Sequence, residues 1–528
     1  MEIRQRLTNL SYVRRVSQWF TPAILLPIAL AGCSGSQTKA QQLGEQADAL
    51  LQAGNIGYAR YTIDAAIRER DDIAALQILK GRIAVAQGDR ESAFNAYSNA
   101  MSLDATNMEA MQGVTQLGLA IGRWDQADAA ADKILIIIPG EPSAVFAKGL
   151  IALSQRRIDD ALKFADTILT TNPRDARGLI LKARALYARE RIDDALATLD
   201  KGTAGGTLED PIIATYLELH RRKRDAAAML KDMVALERMR PREARIRLDL
   251  ANLRYKTGDT AGARDGLLRL IERRDLTAAS MMRIVAIWQQ YDRDPIAKDA
   301  LASAAFGTDR ARVETARYYL DTGRPAEAMT ILGPVASEDA KALAARIQLL
   351  SGTATPETTA TIDAILAKDE TQCDALAARA TMKLQRGAAR DAVVDAQHAA
   401  AECPANSAGH RTLIAVRRAM GDRMAEFRAY DAALSAMPWD VLIAQDYYDR
   451  AKALGDSTKA LSVARQVTRA LPSWPGGWMM QARACAAVGD TACRQDAERR
   501  ADEAKTVYRL DPLPGEAPAR GLDGSMQK

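Results

Sequence analysis

The residues best suited to chemistry in this sequence are paired carboxylates, Asp159-Asp160 and Asp193-Asp194, each inside a copy of the hexapeptide RIDDAL. Adjacent acids can share general acid and base work when their surroundings split their pKa values. That work needs a proton-handling partner, and His220, His398 and His410 stand near neither pair. The two copies lie 34 residues apart, on segments whose other residues have mostly changed. The aspartates are therefore read as first-turn residues of two equivalent helices, where a carboxylate faces the positive end of the macrodipole.

Other catalytic patterns are missing from the sequence. It contains no phosphate loop, dinucleotide fingerprint or nucleophile elbow. There is no Cys-x-x-Cys or His-Glu-x-x-His, and the histidines are scattered, so neither a metal nor a cofactor is expected. A non-enzymatic protein is the expectation.

The elements that carry the aspartates explain them. With Ala161 and Ala195 aligned, steps of 34 fill one slot with Ala59, Ala93, Ala127, Ala161, Ala195, Met229, Ala263 and Ala297. Five residues earlier stand Gly54, Gly88, Gly122 and Gly258, and twelve later Pro139, Pro173 and Pro241. The step shortens to reach Ala328 and Thr358, then resumes through Ala392, Glu426, Ala460 and Arg494. Gly387, Gly421, Gly455 and Gly489 precede these last four, and Pro404, Pro438 and Pro472 follow the first three. About 14 such units run from roughly residue 40 to 507.

Each unit is expected to be two antiparallel helices. A small residue at the crossing permits close approach, Gly ends the first helix, and Pro prevents extension of the second. A 34-residue period with Gly at the turn, Ala in the second helix and Pro at the exit resembles the tetratricopeptide repeat (TPR). Trp478 matches that family's aromatic slot and Gly81 and Gly149 its small slot, while most units place Leu, Ala or Met there. The resemblance implies an all-α, TPR-type α-solenoid, a right-handed superhelix whose stability is nearest-neighbour stacking.

Composition agrees with helices packed through small side chains, since aromatics make up only 5% of the 528 residues. Formal net charge is +5, and loss of residues 1–32, with Arg4, Arg6, Arg14 and Arg15 against Glu2, would leave about +2. No nucleic-acid partner is implied.

Arg14 and Arg15 precede WFTPAILLPIALAGC, the charged-then-apolar order of an export signal. As a helix, Trp19 to Gly32 would span only ~21 Å against a ~30 Å hydrocarbon core, and Pro22 and Pro27 interrupt it. A permanent span is not expected. Leu30-Ala31-Gly32-Cys33 resembles the lipobox of bacterial lipoproteins. That resemblance implies cleavage before Cys33, lipidation of its sulfur and, with Ser34 rather than Asp following, a periplasm-facing place on the outer membrane. An ordinary cleaved signal with a chance cysteine is the alternative.

Four further cysteines follow the signal. Cys373 opens a first helix and Cys403 closes the second helix of the same hairpin, while Cys485 and Cys493 flank another turn. Disulfides Cys373–Cys403 and Cys485–Cys493 are expected, against two other connectivities and against buried thiols.

The first helices of such a fold line the concave face. Placing the units assigns Arg177, Arg184 and Tyr187, then Arg221 and Arg222, then Arg245, Asn252 and Lys256 to a basic inner stripe forming a partner-binding groove. Guanidinium groups there suit carboxylates of an extended ligand, though arginine on a solvated helix face also serves solubility.

The expected organisation is a signal peptide (1–32), a lipidated Cys33 with a flexible tether (33–41) and an N-terminal array (42–309). An irregular joint (310–370), a C-terminal array (371–508) and a disordered tail (509–528) follow. Two functions fit this layout. One is a lipid-anchored scaffold for envelope proteins of an assembly or export machine, with exopolysaccharide export favoured by resemblance in layout and pilus or outer-membrane protein assembly as alternatives. The other is direct capture of an acidic polysaccharide or peptide in the groove.

Overall fold

The computed structural model describes residues 31–204, 206, 208–334 and 337–513, with side chains from residue 35 onward. The export segment 1–30, the Cys33 side chain and tail residues 514–528 lie outside the described residues. Among the described residues there are helices and no strands. No helix among them is long and apolar enough to cross a membrane.

The described residues form two compact units that divide between Gln155 and Arg156. The first carries α1 (Ala31–Gln52), α2 (Ile56–Glu69), α3 (Ala74–Ala86), α4 (Arg90–Leu103), α5 (Met108–Ile121), α6 (Trp124–Ile137) and α7 (Pro142–Ser154). The second begins with α8 (Ile158–Thr171), α9 (Ala176–Ala188), α10 (Ile192–Thr203), α11 (Asp210–Lys223), α12 (Ala226–Met239), α13 (Ala244–Thr257), α14 (Thr260–Ile271) and α15 (Ala278–Tyr291). After a short 3-10 helix (Lys298–Ser303) come α16 (Asp309–Asp321), α17 (Pro325–Leu332), α18 (Glu338–Ser351), α19 (Pro356–Lys368), α20 (Cys373–Gln385) and α21 (Ala389–Glu402). The last hairpins are α22 (Ser407–Ala419) with α23 (Arg423–Ala436), α24 (Val441–Ala453) with α25 (Ser457–Ala470), and α26 (Pro475–Ala487) with α27 (Thr491–Ala504). Each unit is all-α and TPR-type, a solenoid of hairpins in which consecutive hairpins share apolar layers.

The repeat slots have the expected physical roles. Gly54, Gly88, Gly122, Gly258, Gly387, Gly421, Gly455 and Gly489 all adopt positive φ, which glycine takes without a Cβ penalty. In three units without that glycine, Arg156, Glu190 and Arg224 take the left-handed conformation instead, at φ 59°, 62° and 58°. The next residue is commonly Asp, and Asp89, Asp225, Asp259, Asp422, Asp456 and Asp490 each cap the second helix by accepting a backbone N–H. At the crossing, Ala59, Ala93, Ala127, Ala161, Ala195, Met229, Ala263, Ala328 and Ala392 are fully buried.

Three slots depart from this. Ala297 is exposed. Pro295 precedes it, and the Tyr319 hydroxyl takes both the N–H and the C=O of Ile296, so only a 3-10 turn forms where a second helix was expected. Arg494 is also exposed, its place in the layer passing to Ala497. Glu426 is buried, with Arg418 Nε at 2.8 Å and Arg450 Nε at 2.9 Å from its Oε1.

Two boundaries differ from expectation. The flexible tether drawn over 33–41 forms the opening turns of α1, because Ala40 is fully buried with Ala59, Ile63 and Leu76, and Lys39 pairs with Glu69 at 2.6 Å. The irregular stretch is 292–308; residues 310–370 fold as the hairpins α16–α17 and α18–α19, and the compact units divide at Gln155 and Arg156 instead. Cys373 and Cys403 are joined by a disulfide, as are Cys485 and Cys493, with Cα–Cα distances of 6.2 and 5.7 Å.

Candidate functional site

Arg245, Asp249, Asn252 and Lys256 recur at intervals of four, three and four residues, so they share one face of α13. That face is occupied. Beyond α27 the chain turns back, and residues 507–513 run across the stripe.

Backbone groups do most of the holding. Lys256 Nζ donates to the carbonyls of Ser473 (2.6 Å), Ala504 (3.2 Å) and Val507 (2.7 Å). Asn252 Nδ2 donates to the Tyr508 carbonyl at 3.0 Å, and Arg245 Nη2 to that of Leu510 at 3.2 Å. The Leu510 N–H donates to Asp249 Oδ1 at 3.0 Å, while Arg283 Nη1 of α15 reaches the Asp511 carbonyl at 3.2 Å. The Asp511 carboxylate accepts from Ser473 N–H and from Ser473 Oγ, the latter at 2.7 Å.

Three side chains enter three apolar layers. Tyr508 packs in the cluster of Ile213, Leu217, Leu250 and Leu253. Leu510 joins the layer containing Leu248, Ala251 and Ile284, and Leu513 the layer containing Ala286, Ile443 and Trp474. A cavity of about 240 Å³ opens beside Tyr508, bounded by Met233, Leu236 and Ile246 and by Asp210, Arg240 and Glu243. Enclosure shifts the polar groups. Burial pushes the Lys256 amine down to about 7, opposed by the Asp511 and Asp249 carboxylates. Burial raises Asp249 and Asp511 above their ordinary range, against the pull of their partners.

This overturns two expectations. Arg245, Asn252 and Lys256 do not line an open groove, because the chain's own segment satisfies them. The tail is also not disordered from residue 509, since Leu510 and Leu513 are buried.

The remaining stripe residues are paired locally. Arg177 Nη2 lies 2.7 Å from Asp175, and Arg221 and Arg222 both engage Glu218 at 2.8 and 3.0 Å. The Arg222 guanidinium stands 5.7 Å from the Tyr187 ring centre, and Arg184 is partly buried and engaged. The stripe is more nearly neutral than its arginine count suggests.

Further along, the inner face closes on itself. α15 and α24 meet where the Val441 N–H donates to Gln289 Oε1 at 3.1 Å. Inside the closure, inner helices contribute alternating charges: Arg317 and Asp321 from α16, Arg346 from α18, Asp374 from α20, Arg411 from α22 and Asp440 before α24. Arg317 Nη1 sits 2.6 Å from Asp374, and Arg411 lies 3.4 Å from both Asp321 and Asp440. A cavity of about 270 Å³ adjoins this network, walled by Met281, Met282, Val285 and Trp439.

The RIDDAL aspartates are structural. Asp160 and Asp194 pair with Arg157 and Arg191 of their own turns, while Asp159 and Asp193 reach Arg189 and Lys223 of the following hairpins. The histidines stay apart: His220 contacts Asp232, His398 Glu402, and His410 the Pro404 carbonyl. No group of three or more His, Cys, Asp or Glu that could hold a metal occurs among the described residues.

Residues 152–207, which span α8 to α10, match the tetratricopeptide-repeat family model. No curated protein matches the sequence. Among solved structures, it is similar to PilF of Pseudomonas aeruginosa at 16% identity over 40% of this chain and 95% of that one, with a TM-score of 0.30. PilW, described as a widely conserved type IV pilus biogenesis factor, aligns at 15% identity over 39% and 94%, with a TM-score of 0.32. A tetratricopeptide repeat protein from Parabacteroides merdae aligns at 15% identity over 62% and 99%, with a TM-score of 0.30.

Proposed function

We propose that this protein is a lipid-anchored, periplasm-facing scaffold of a bacterial outer membrane that holds protein components of an envelope assembly or export machine. The observation that carries the scaffold reading is the hold of α13 and α15 on residues 507–513, which is mostly through backbone groups and so suits extended polypeptide in general. The anchor and location rest on the charged-then-apolar leader ending in Leu30-Ala31-Gly32-Cys33. Exopolysaccharide export is favoured among the machines because the layout of leader, short polar stretch and long array resembles lipoproteins of such systems.

Capture of an acidic polysaccharide is the weaker reading. The guanidinium groups of Arg177, Arg221 and Arg222 are already paired with carboxylates of their own helices, which leaves less uncompensated positive charge for a polyanion.

Crosslinking of the native protein in isolated envelopes, followed by affinity recovery, tests the scaffold. Recovery of export-machine proteins is expected, whereas pilus or outer-membrane insertion components would redirect the assignment and polysaccharide alone would overturn it. Metabolic labelling with a fatty acid, lost in Cys33→Ala, tests the anchor.

A further inference from the structure

We propose that the inner face of α11, α13 and α15 is a recognition site for an extended peptide of a partner protein with the spacing aromatic-x-Leu-Asp-x-Leu, and that residues 507–513 are its built-in competitor. This rests on the scaffold reading and specifies its partner. The bound segment reads Tyr508-Arg509-Leu510-Asp511-Pro512-Leu513. Its contacts divide cleanly by chemistry.

Lys256, Asn252, Arg245, Arg283 and Asp249 all address backbone carbonyls or an N–H. Any extended peptide offers those groups, so they give affinity without choosing a sequence. Selection falls to four side chains. Tyr508, Leu510 and Leu513 each fill a separate apolar layer, and Asp511 takes the Ser473 N–H and hydroxyl.

Two features mark the resident segment as a competitor rather than the best occupant. A cavity of about 240 Å³ adjoins Tyr508, with Asp210, Arg240 and Glu243 on its wall beside the buried Met233, Leu236 and Ile246, so the resident ring does not fill the space at that position. The resident segment also follows α27 and contributes no helix of its own, so its departure withdraws three side chains from their layers without separating any pair of helices in sequence. Its advantage is tethering, which raises its effective concentration and keeps weaker peptides out.

The test uses a labelled peptide with the sequence of residues 505–513 and the full chain. Tyr508→Ala/Leu510→Ala, which loosens the resident segment, is expected to bind the peptide at least about tenfold more tightly than the unmodified chain. Adding Asn252→Ala should abolish that gain, and a peptide with alanine at its Leu510 and Asp511 positions should not compete. A loosened chain that keeps its helical spectrum but binds no better overturns the proposal, as does tail exchange between two copies seen as dimerisation.

If the double variant does not fold, hydrogen exchange on the unmodified chain decides. Millimolar peptide should accelerate exchange at residues 508–513, and unchanged exchange overturns the proposal. Failure here is separable from failure of the scaffold reading. If envelope partners are still recovered and the peptide does not displace them, the scaffold stands and this groove is not where they bind.

Discussion

Lys256 Nζ lies 2.7 Å from the carbonyl oxygen of Val507, a residue 251 positions further along the chain. Asn252, one helical turn earlier, makes the neighbouring bond to Tyr508. In Asn252→Ala that carbonyl loses its donor while remaining enclosed, at a cost of roughly 1–3 kcal/mol. Amide exchange across residues 508–513 should rise by about ten- to a hundredfold, with exchange in α1–α7 unchanged. Equal protection in variant and parent would mean that the segment is held by its side chains alone.

Attachment of this segment should depend on pH in a direction fixed by Lys256. Its amine sits near 7 when enclosed and moves back toward its ordinary 10.5 as the segment is released, so the released state binds more protons between those values. Attachment therefore strengthens as pH rises from about 7 to 10.5, by at most ~1.4 kcal/mol per unit. Below 7 the burial penalty is fully present. Asp249 and Asp511, both raised above 3.8 by burial, give the opposite slope at acid pH. The segment, which Arg245 and Arg283 also face, should thus be held least firmly between these windows. Exchange at 508–513, corrected for intrinsic rates, measures this, and Lys256→Met should flatten the alkaline limb.

Glu190 occupies a turn position that nine other units give to glycine, and its φ of 62° carries a Cβ penalty. Glu190→Gly should stabilise the chain by about 0.5–1 kcal/mol. The reverse change at an equivalent turn, Gly455→Ala, meets no neighbouring atom within 4 Å, so its expected loss of about 1 kcal/mol is purely conformational. Thermal denaturation of the two variants should move in opposite directions.

The repeat alone would predict that alanine is welcome at Glu426, since equivalent slots hold buried alanines. The contacts predict the contrary. Removing the carboxylate strips Arg418 and Arg450 of their shared partner inside the α22–α24 layer. Because both guanidinium groups are about a third exposed, Glu426→Ala should cost about 1–2 kcal/mol in denaturant unfolding rather than the larger penalty of a fully buried pair. A neutral result would mean that solvent and Asp446 replace the lost carboxylate completely.

The two disulfides close loops of different length, with sequence separations of 30 and 8. Chain entropy assigns roughly 3.6 kcal/mol to Cys373–Cys403 and roughly 2.5 kcal/mol to Cys485–Cys493. Cys373→Ala/Cys403→Ala should therefore lose more stability than Cys485→Ala/Cys493→Ala. The reverse order would show that the folded state, not the unfolded one, sets the difference.

What the sequence made legible was local. The Gly, Ala and Pro slots report conformations fixed within a single hairpin, so phase alone located most turns and crossings. The exception at Ala297 arises because Tyr319, from the following hairpin, binds the backbone of Ile296. The groove residues were legible as one face of α13 but not as occupied, because their ligand is a short stretch more than 250 residues away with only three apolar anchors. Closure of α15 on α24 was equally hidden, since it depends on curvature summed over five hairpins. Arg177, Arg221 and Arg222 looked available because a count of basic residues overlooks Asp175 and Glu218 beside them.

Stacked hairpins can ordinarily set one after another, each needing only its neighbour. Here the middle of the second unit cannot finish that way, because the Val507 carbonyl that Lys256 holds lies 251 residues further along the chain. A contact of that span adds loop-closure entropy to an otherwise local fold, so the order in which this unit completes is set by its far end as well as by its neighbours.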